Sequence, residues 1–132
     1  MRVFKSRAFA QFARKNLIED DALCALVQTM VLGAIDADLG GGVYKQRLSR
    51  KGQGKSGGYR TILLLRFGRI AMFAYGFAKN DRSNIDQADL ARFRRLAKEV
   101  FGYDDKEIEQ LVRRGALQEI CSEDEAISLK DR

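Results

Sequence analysis

The run YRTILLLRFGRIAMFAYGF, residues 59–77, reads as two strands and the turn between them. From Ile62 to Leu65 both side-chain parities are apolar, the pattern of an interior strand beneath a helical layer. Gly68 and Arg69 then make a tight turn into a second strand, Ile70 to Phe77, which predicts a hairpin.

Working outward from this hairpin, Val43 to Leu48 has strand character and basic polar positions, and Arg2 to Lys5 reads as a short first strand. Phe9, Phe12 and Ala13 recur at helical spacing up to about Asn16. A second helix, capped by Asp20 or Asp21, carries an apolar stripe from Ala22 to Ala34, and Gly40, Gly41 and Gly42 end it. Asp86 begins a third helix with Leu90, Phe93, Leu96, Ala97 and Val100 on one face. Asp104 or Asp105 caps a fourth, closed by Gly115. The order predicts an α+β fold, a compact twisted antiparallel sheet packed against helices on one side. Residues 1–120 form the domain, and 121–132 read as a frayed polar tail.

A chain of 132 residues fits one domain with one modest core. No segment approaches the roughly 20 apolar residues that span a membrane, and no apolar secretory stretch opens the chain. Cys24 and Cys121 lie far apart without neighbouring ligands, so neither a disulfide framework nor a zinc site is expected, and a cytoplasmic location is. The absence of histidine excludes every histidine-based triad, relay and metal site. The formal charge of +6 is unevenly spread. From Leu39 to Asn80 there are nine basic residues and no carboxylate, whereas residues 81–132 are net acidic. Such a stretch is poor in ligands for divalent metals and suits a polyanion.

Within it, Gly52, Gly54 and Gly57 match G-x-G-x-x-G, and Gly54-Lys55-Ser56 resembles the end of a phosphate-binding P-loop. Both motifs require a helix to follow, and Tyr59 begins a strand instead. The glycines are better suited to a connection that carries Arg50, Lys51 and Lys55 to a nucleic-acid backbone.

The run ADLGGGVYKQRLSRKGQGKSGGYRTILLLR (37–66), with FAYGFAKNDRSNI (73–85) and LVRRGALQEI (111–120), resembles the RelE/ParE superfamily of type II toxins, in its RelE/HigB-like mRNA interferase branch. The resemblance implies a small toxin that cleaves messenger RNA on translating ribosomes and is neutralised by an antitoxin protein. It also implies a twisted antiparallel sheet with a basic cleft. The family's loop lysines correspond to Lys51 and Lys55, the arginine after the glycines to Arg60, and the basic residue ending the last strand to Lys79. The chain departs from branch members that use histidine in the cleft.

Internal RNA cleavage needs no metal or cofactor when the ribose 2′-OH attacks the adjacent phosphate. Arg60, held on a strand, is the candidate to stabilise the transition state, with Lys79 assisting. Lys55 or Lys51 could exchange a proton if neighbouring charge lowers its pKa, and Tyr75 is a second candidate or else a core aromatic. Lys45 and Arg47 share a strand face as phosphate contacts. Arg82 follows as a further grip, and Arg66 is either another contact or an ordinary surface residue. The competing expectations are a ParE-like toxin that acts on DNA gyrase without catalysis, and a nucleic-acid-binding domain that does not cut.

Overall fold

The strand at residues 59–66 divides its side chains between two cores. Tyr59, Leu63 and Leu65 enter one, Ile62 and Leu64 the other, and Thr61 is fully buried with its hydroxyl donating to the Gln46 carbonyl at 3.0 Å. In the computed structural model, which describes residues 1–49, 58–79 and 84–121, the elements in chain order are β1 (Arg2–Ser6), α1 (Arg7–Lys15), α2 (Asp20–Val31), β2 (Ala37–Asp38), β3 (Val43–Leu48), β4 (Tyr59–Arg66), β5 (Ile70–Ala78), α3 (Gln87–Phe101), α4 (Asp105–Arg113) and β6 (Leu117–Ile120). The strands form a six-stranded sheet in the order β2-β3-β4-β5-β1-β6.

The α+β fold and the β4–β5 hairpin agree with the sequence reading, and three features refine it. Pairing is antiparallel except between β1 and β5, which run parallel, Arg2 opposite Ile70 to Lys5 opposite Phe73. Helices cover both faces rather than one. Phe9 and Ala13 of α1 and Leu23, Val27 and Met30 of α2 pack on one face, while Ala97 and Val100 of α3 and Ile108 of α4 pack on the other. The two-parity apolar run of β4 requires this, because each of its faces must be covered. Two short strands also went unread. β2 has two residues, and β6 lies within the closing segment LVRRGALQEI.

Local chemistry sets the boundaries. Ser6 caps α1, its Oγ accepting from Phe9 N–H at 3.1 Å, so the chain passes from β1 into helix without a loop. α3 and α4 begin with capping boxes, Asp86 with Asp89 and Asp104 with Glu107. α2 is capped at Glu19 rather than Asp20 or Asp21, with no side-chain cap bond. Asp20 instead binds Lys5 Nζ at 2.8 Å and ties the start of α2 to β1. The helix stops at Val31, earlier than its apolar stripe suggests, and Gly40–Gly42 belong to the β2–β3 turn. There Gly42 has φ +82°, and an added Cβ would fall 2.4 Å from the Phe101 ring, so both conformation and space demand glycine.

The two cysteines are not separate. β6 returns antiparallel beside β1, with Ile120 opposite Val3, and this brings Cys121 under α2, where it is joined to Cys24 by a disulfide with a Cα–Cα distance of 5.6 Å. The expectation of unpaired thiols fails because 97 residues of sequence separation say nothing about the return of a final strand that the sequence reading missed. Among the described residues no helix is long and apolar enough to cross a membrane. The tail, residues 122–132, lies outside the described residues.

Candidate nucleic-acid interface

β3, β4 and β5 present a row of basic and aromatic side chains on the face toward α3. On β3, Val43 is buried in the α3-side core, so Lys45 and Arg47 follow it on the same face by strand alternation. On β4, Leu64 and Ile62 lead in the same way to Arg60. The register sets Lys45 opposite Ile62 and Arg47 opposite Arg60. On β5, Ile62 faces Tyr75 and Arg60 faces Phe77. Two cross-strand rows result, Lys45–Ile62–Tyr75 and Arg47–Arg60–Phe77, whose adjacent Cβ atoms lie about 5 Å apart in such a sheet. Lys79 stands exposed two residues beyond Phe77, just past the end of β5 and at the same end of the sheet as Arg60.

The register of the upper row depends on an irregularity. Leu63 pairs with Phe73 and Ile62 with Tyr75, so Ala74 is the extra residue of a β-bulge. Without it, Tyr75 would project toward α1. With it, the half-buried Tyr75 ring lies 5.9 Å from both the Phe77 and Phe93 rings, tilted 37° to each. Phe93 belongs to α3, so the helix leans on this aromatic floor.

The basic side chains are held by polar neighbours. Lys45 Nζ donates to Asn84 Oδ1 at 3.1 Å, at the entry to α3. The Arg47 backbone N–H donates to Asp36 Oδ2 at 2.7 Å, and one of its guanidinium nitrogens lies 3.5 Å from Asp36 Oδ1. Arg60 is half-buried, with a guanidinium nitrogen 3.5 Å from the Tyr59 carbonyl. Two guanidinium groups on neighbouring strands create a concentrated positive field that suits a phosphodiester, whose oxygens accept from both forks.

The structure therefore brings together Arg60, Arg47, Lys45, Tyr75 and Lys79. Arg66 is not part of this group. It is exposed at the far end of β4 opposite Ile70, six residues from Arg60, a distance of roughly 20 Å along a strand. Arg50, Lys51, Lys55 and Arg82 lie outside the described residues. Sequence reasoning missed Asp36, Asn84 and Phe93 as site neighbours. Only Phe93 left a signal, through its place on the apolar stripe of α3. A groove of ≈ 870 Å³ lined by Lys15, Leu17, Glu19, Leu48 and Tyr59 opens beside the α1–α2 turn, on the other side of the sheet from Arg60. Among the described residues no group of three or more His, Cys, Asp or Glu could hold a metal ion.

Fold and site together define a small basic α+β domain with Lys45, Arg47, Arg60 and Lys79 gathered toward one end of its sheet. The family described as the RelE toxin of the RelE/RelB toxin–antitoxin system matches residues 1–120, and the chain belongs to that family. It is thus the toxin component of a toxin–antitoxin pair, with an antitoxin as its partner. No individual curated protein matches the chain.

Proposed function

We propose that this toxin is a metal-independent endoribonuclease that cuts messenger RNA on the ribosome, in the cytoplasm. The observation that carries the reading is the direct opposition of Arg47 and Arg60 on one sheet face, flanked by Lys45 and Lys79. Arg60 is the donor to the transition state. The ribose 2′-oxygen gives up its proton and bonds to phosphorus, and the P–O5′ bond breaks with a proton going to the departing 5′-oxygen. As this happens charge builds on the non-bridging oxygens, and a planar fork on a packed strand meets it without rearrangement. Arg47, Lys45 and Lys79 hold the neighbouring phosphates, and Tyr75, set behind the row, orients the nucleotide by its ring or passes a proton by its hydroxyl. Lys51 and Lys55 remain proposed proton carriers, and Arg50 and Arg82 proposed backbone contacts. When the ribosome holds message and toxin in register, much of the acceleration comes from positioning.

Mapping transcript 5′ ends after brief expression tests this. New ends inside translated regions are expected. Intact transcripts with relaxed or broken DNA would replace the reading with a gyrase-directed toxin, and RNA binding without new ends would reduce the cleft to a binding site.

A further inference from the structure

Asp36 occupies an unusual place for a carboxylate, against a row of cations. Two like charges directly opposite on neighbouring strands destabilise a sheet, yet Arg47 and Arg60 stand in that relation. Asp36 accepts from Arg47 twice, from the backbone N–H at 2.7 Å and from the guanidinium at 3.5 Å. Its own position is fixed from behind. Gln46, 2% exposed, accepts from the Asp36 N–H through Oε1 at 2.6 Å and donates to the Ala34 carbonyl through Nε2 at 3.3 Å. A buried amide with both ends engaged straps residues 34–36 to β3. The carboxylate thereby lies beside Arg47, on the side away from Arg60, because β3 separates β2 from β4 in the sheet.

We infer that Asp36 is a positioning residue that acts through Arg47, drawing its guanidinium toward the β2 edge so that Arg60 meets the scissile phosphate and Arg47 the next one. The inference rests on the ribonuclease reading. Its consequence is opposite in sign for binding and for turnover. A carboxylate in the cleft weakens RNA binding by its charge, and it speeds cleavage by keeping the two forks apart.

Asp36→Asn retains an oxygen for the Arg47 N–H and removes the charge. In steady-state cleavage of ribosome-bound message, kcat should fall roughly tenfold, within the loss of about a hundredfold that an ångström of misplacement can cause. KM should fall as well, and that fall should vanish at high salt. In an Arg47→Ala background, Asp36→Asn should change kcat by less than about twofold. A kcat unaltered in Asp36→Asn overturns the inference, as does a kcat loss that persists in full without Arg47. Unfolding is checked by melting temperature, and Asp36→Glu, which restores the charge, should recover most of kcat. One readout is independent of cleavage: the Arg47 Nε–H resonance in labelled protein should move toward that of a mobile arginine in Asp36→Asn. An unmoved resonance overturns the inference even if the wild-type chain cuts no RNA, an outcome that by itself sinks only the ribonuclease reading.

Discussion

Arg47 and Arg60 stand directly opposite one another on β3 and β4, on the sheet face toward α3. Their backbones are equally well placed, but their surroundings differ. Arg47 is exposed near the open edge and held by Asp36, whereas Arg60 is half-buried between β3 and β5 in the middle of the sheet. Half-buried on a central strand with a strand on either side, Arg60 is the one proposed as transition-state donor. Arg60→Ala should therefore lower single-turnover cleavage on saturating ribosome complexes by about 3 kcal/mol, roughly a hundredfold. Arg60→Lys should stay impaired, since a point charge cannot reproduce the planar fork. Ribosome association should change much less. A normal cleavage rate in folded Arg60→Ala would remove Arg60 from the chemistry.

The disulfide between Cys24 and Cys121 closes a loop of nearly the whole domain. Cross-links stabilise chiefly by restricting the unfolded chain; loop length alone would give about 4.7 kcal/mol for this span, and measured cross-links commonly deliver less, so about 3 kcal/mol is expected here. For a domain of this size that corresponds to a melting temperature lower by roughly 10 °C in reduced protein or in Cys24→Ser. The proposed cytoplasmic location is a reducing one that favours the thiols, so on that reading the reduced protein should still fold, with a loosened contact between α2 and the end of β6. Equal melting temperatures with and without reductant would show that the cross-link adds nothing to stability.

The parts of the fold that were legible share a cause. β4 was readable because both parities of Ile62–Leu65 are apolar, and α3 and α4 because Asp86 and Asp104 announce their starts. What stayed hidden depends on distant pairing. β2 and β6 are too short for an alternating pattern, and their strand character exists only beside β3 and β1. The parallel approach of β1 to β5 leaves no local mark. At the site, Lys45 and Arg47 could be placed on one face by counting in twos, whereas Arg60 joins them only through the β3–β4 register. The facing of Tyr75 could not, because a bulge at Ala74 shifts the count. Asp36 was invisible as a site residue because Gln46, ten positions away, sets its place.

Gly76 tests how tightly α1 is pressed onto β5. A Cβ there would lie 2.5 Å from the Phe12 ring and 3.0 Å from that of Phe9, which is itself fully buried. Gly76→Ala should destabilise the protein by about 1–3 kcal/mol, the usual cost of overpacking, with a matching drop in urea midpoint. It should also disturb Tyr75, its neighbour in the strand, so cleavage should fall in the fraction that remains folded. An unchanged midpoint would mean that α1 can move away from β5 at little cost.

The edge of the sheet should respond to acid. Arg2 binds Glu119 through two nitrogens, each at 2.9 Å, and reaches Glu109 at 2.6 Å, which joins β1, β6 and α4. The hydrogen bonds from Arg2 hold the Glu119 carboxyl below the usual glutamate range, against an opposing push from partial burial. A carboxylate with a depressed folded pKa lends stability that is fully present above its unfolded pKa of about 4.3 and is lost as pH falls through the lower folded value. Because both side chains are about a third exposed, solvent screening limits the contribution to roughly half a kcal/mol. Glu119→Gln should therefore melt slightly below the wild type from pH 6 to 8, by a constant margin. That margin should close as the pH drops below about 4, where the wild-type carboxylate also becomes neutral. Melting curves for the two proteins across this range check it. A margin that persists undiminished in acid would assign the effect of the substitution to packing at the end of β6 and not to the ion pair.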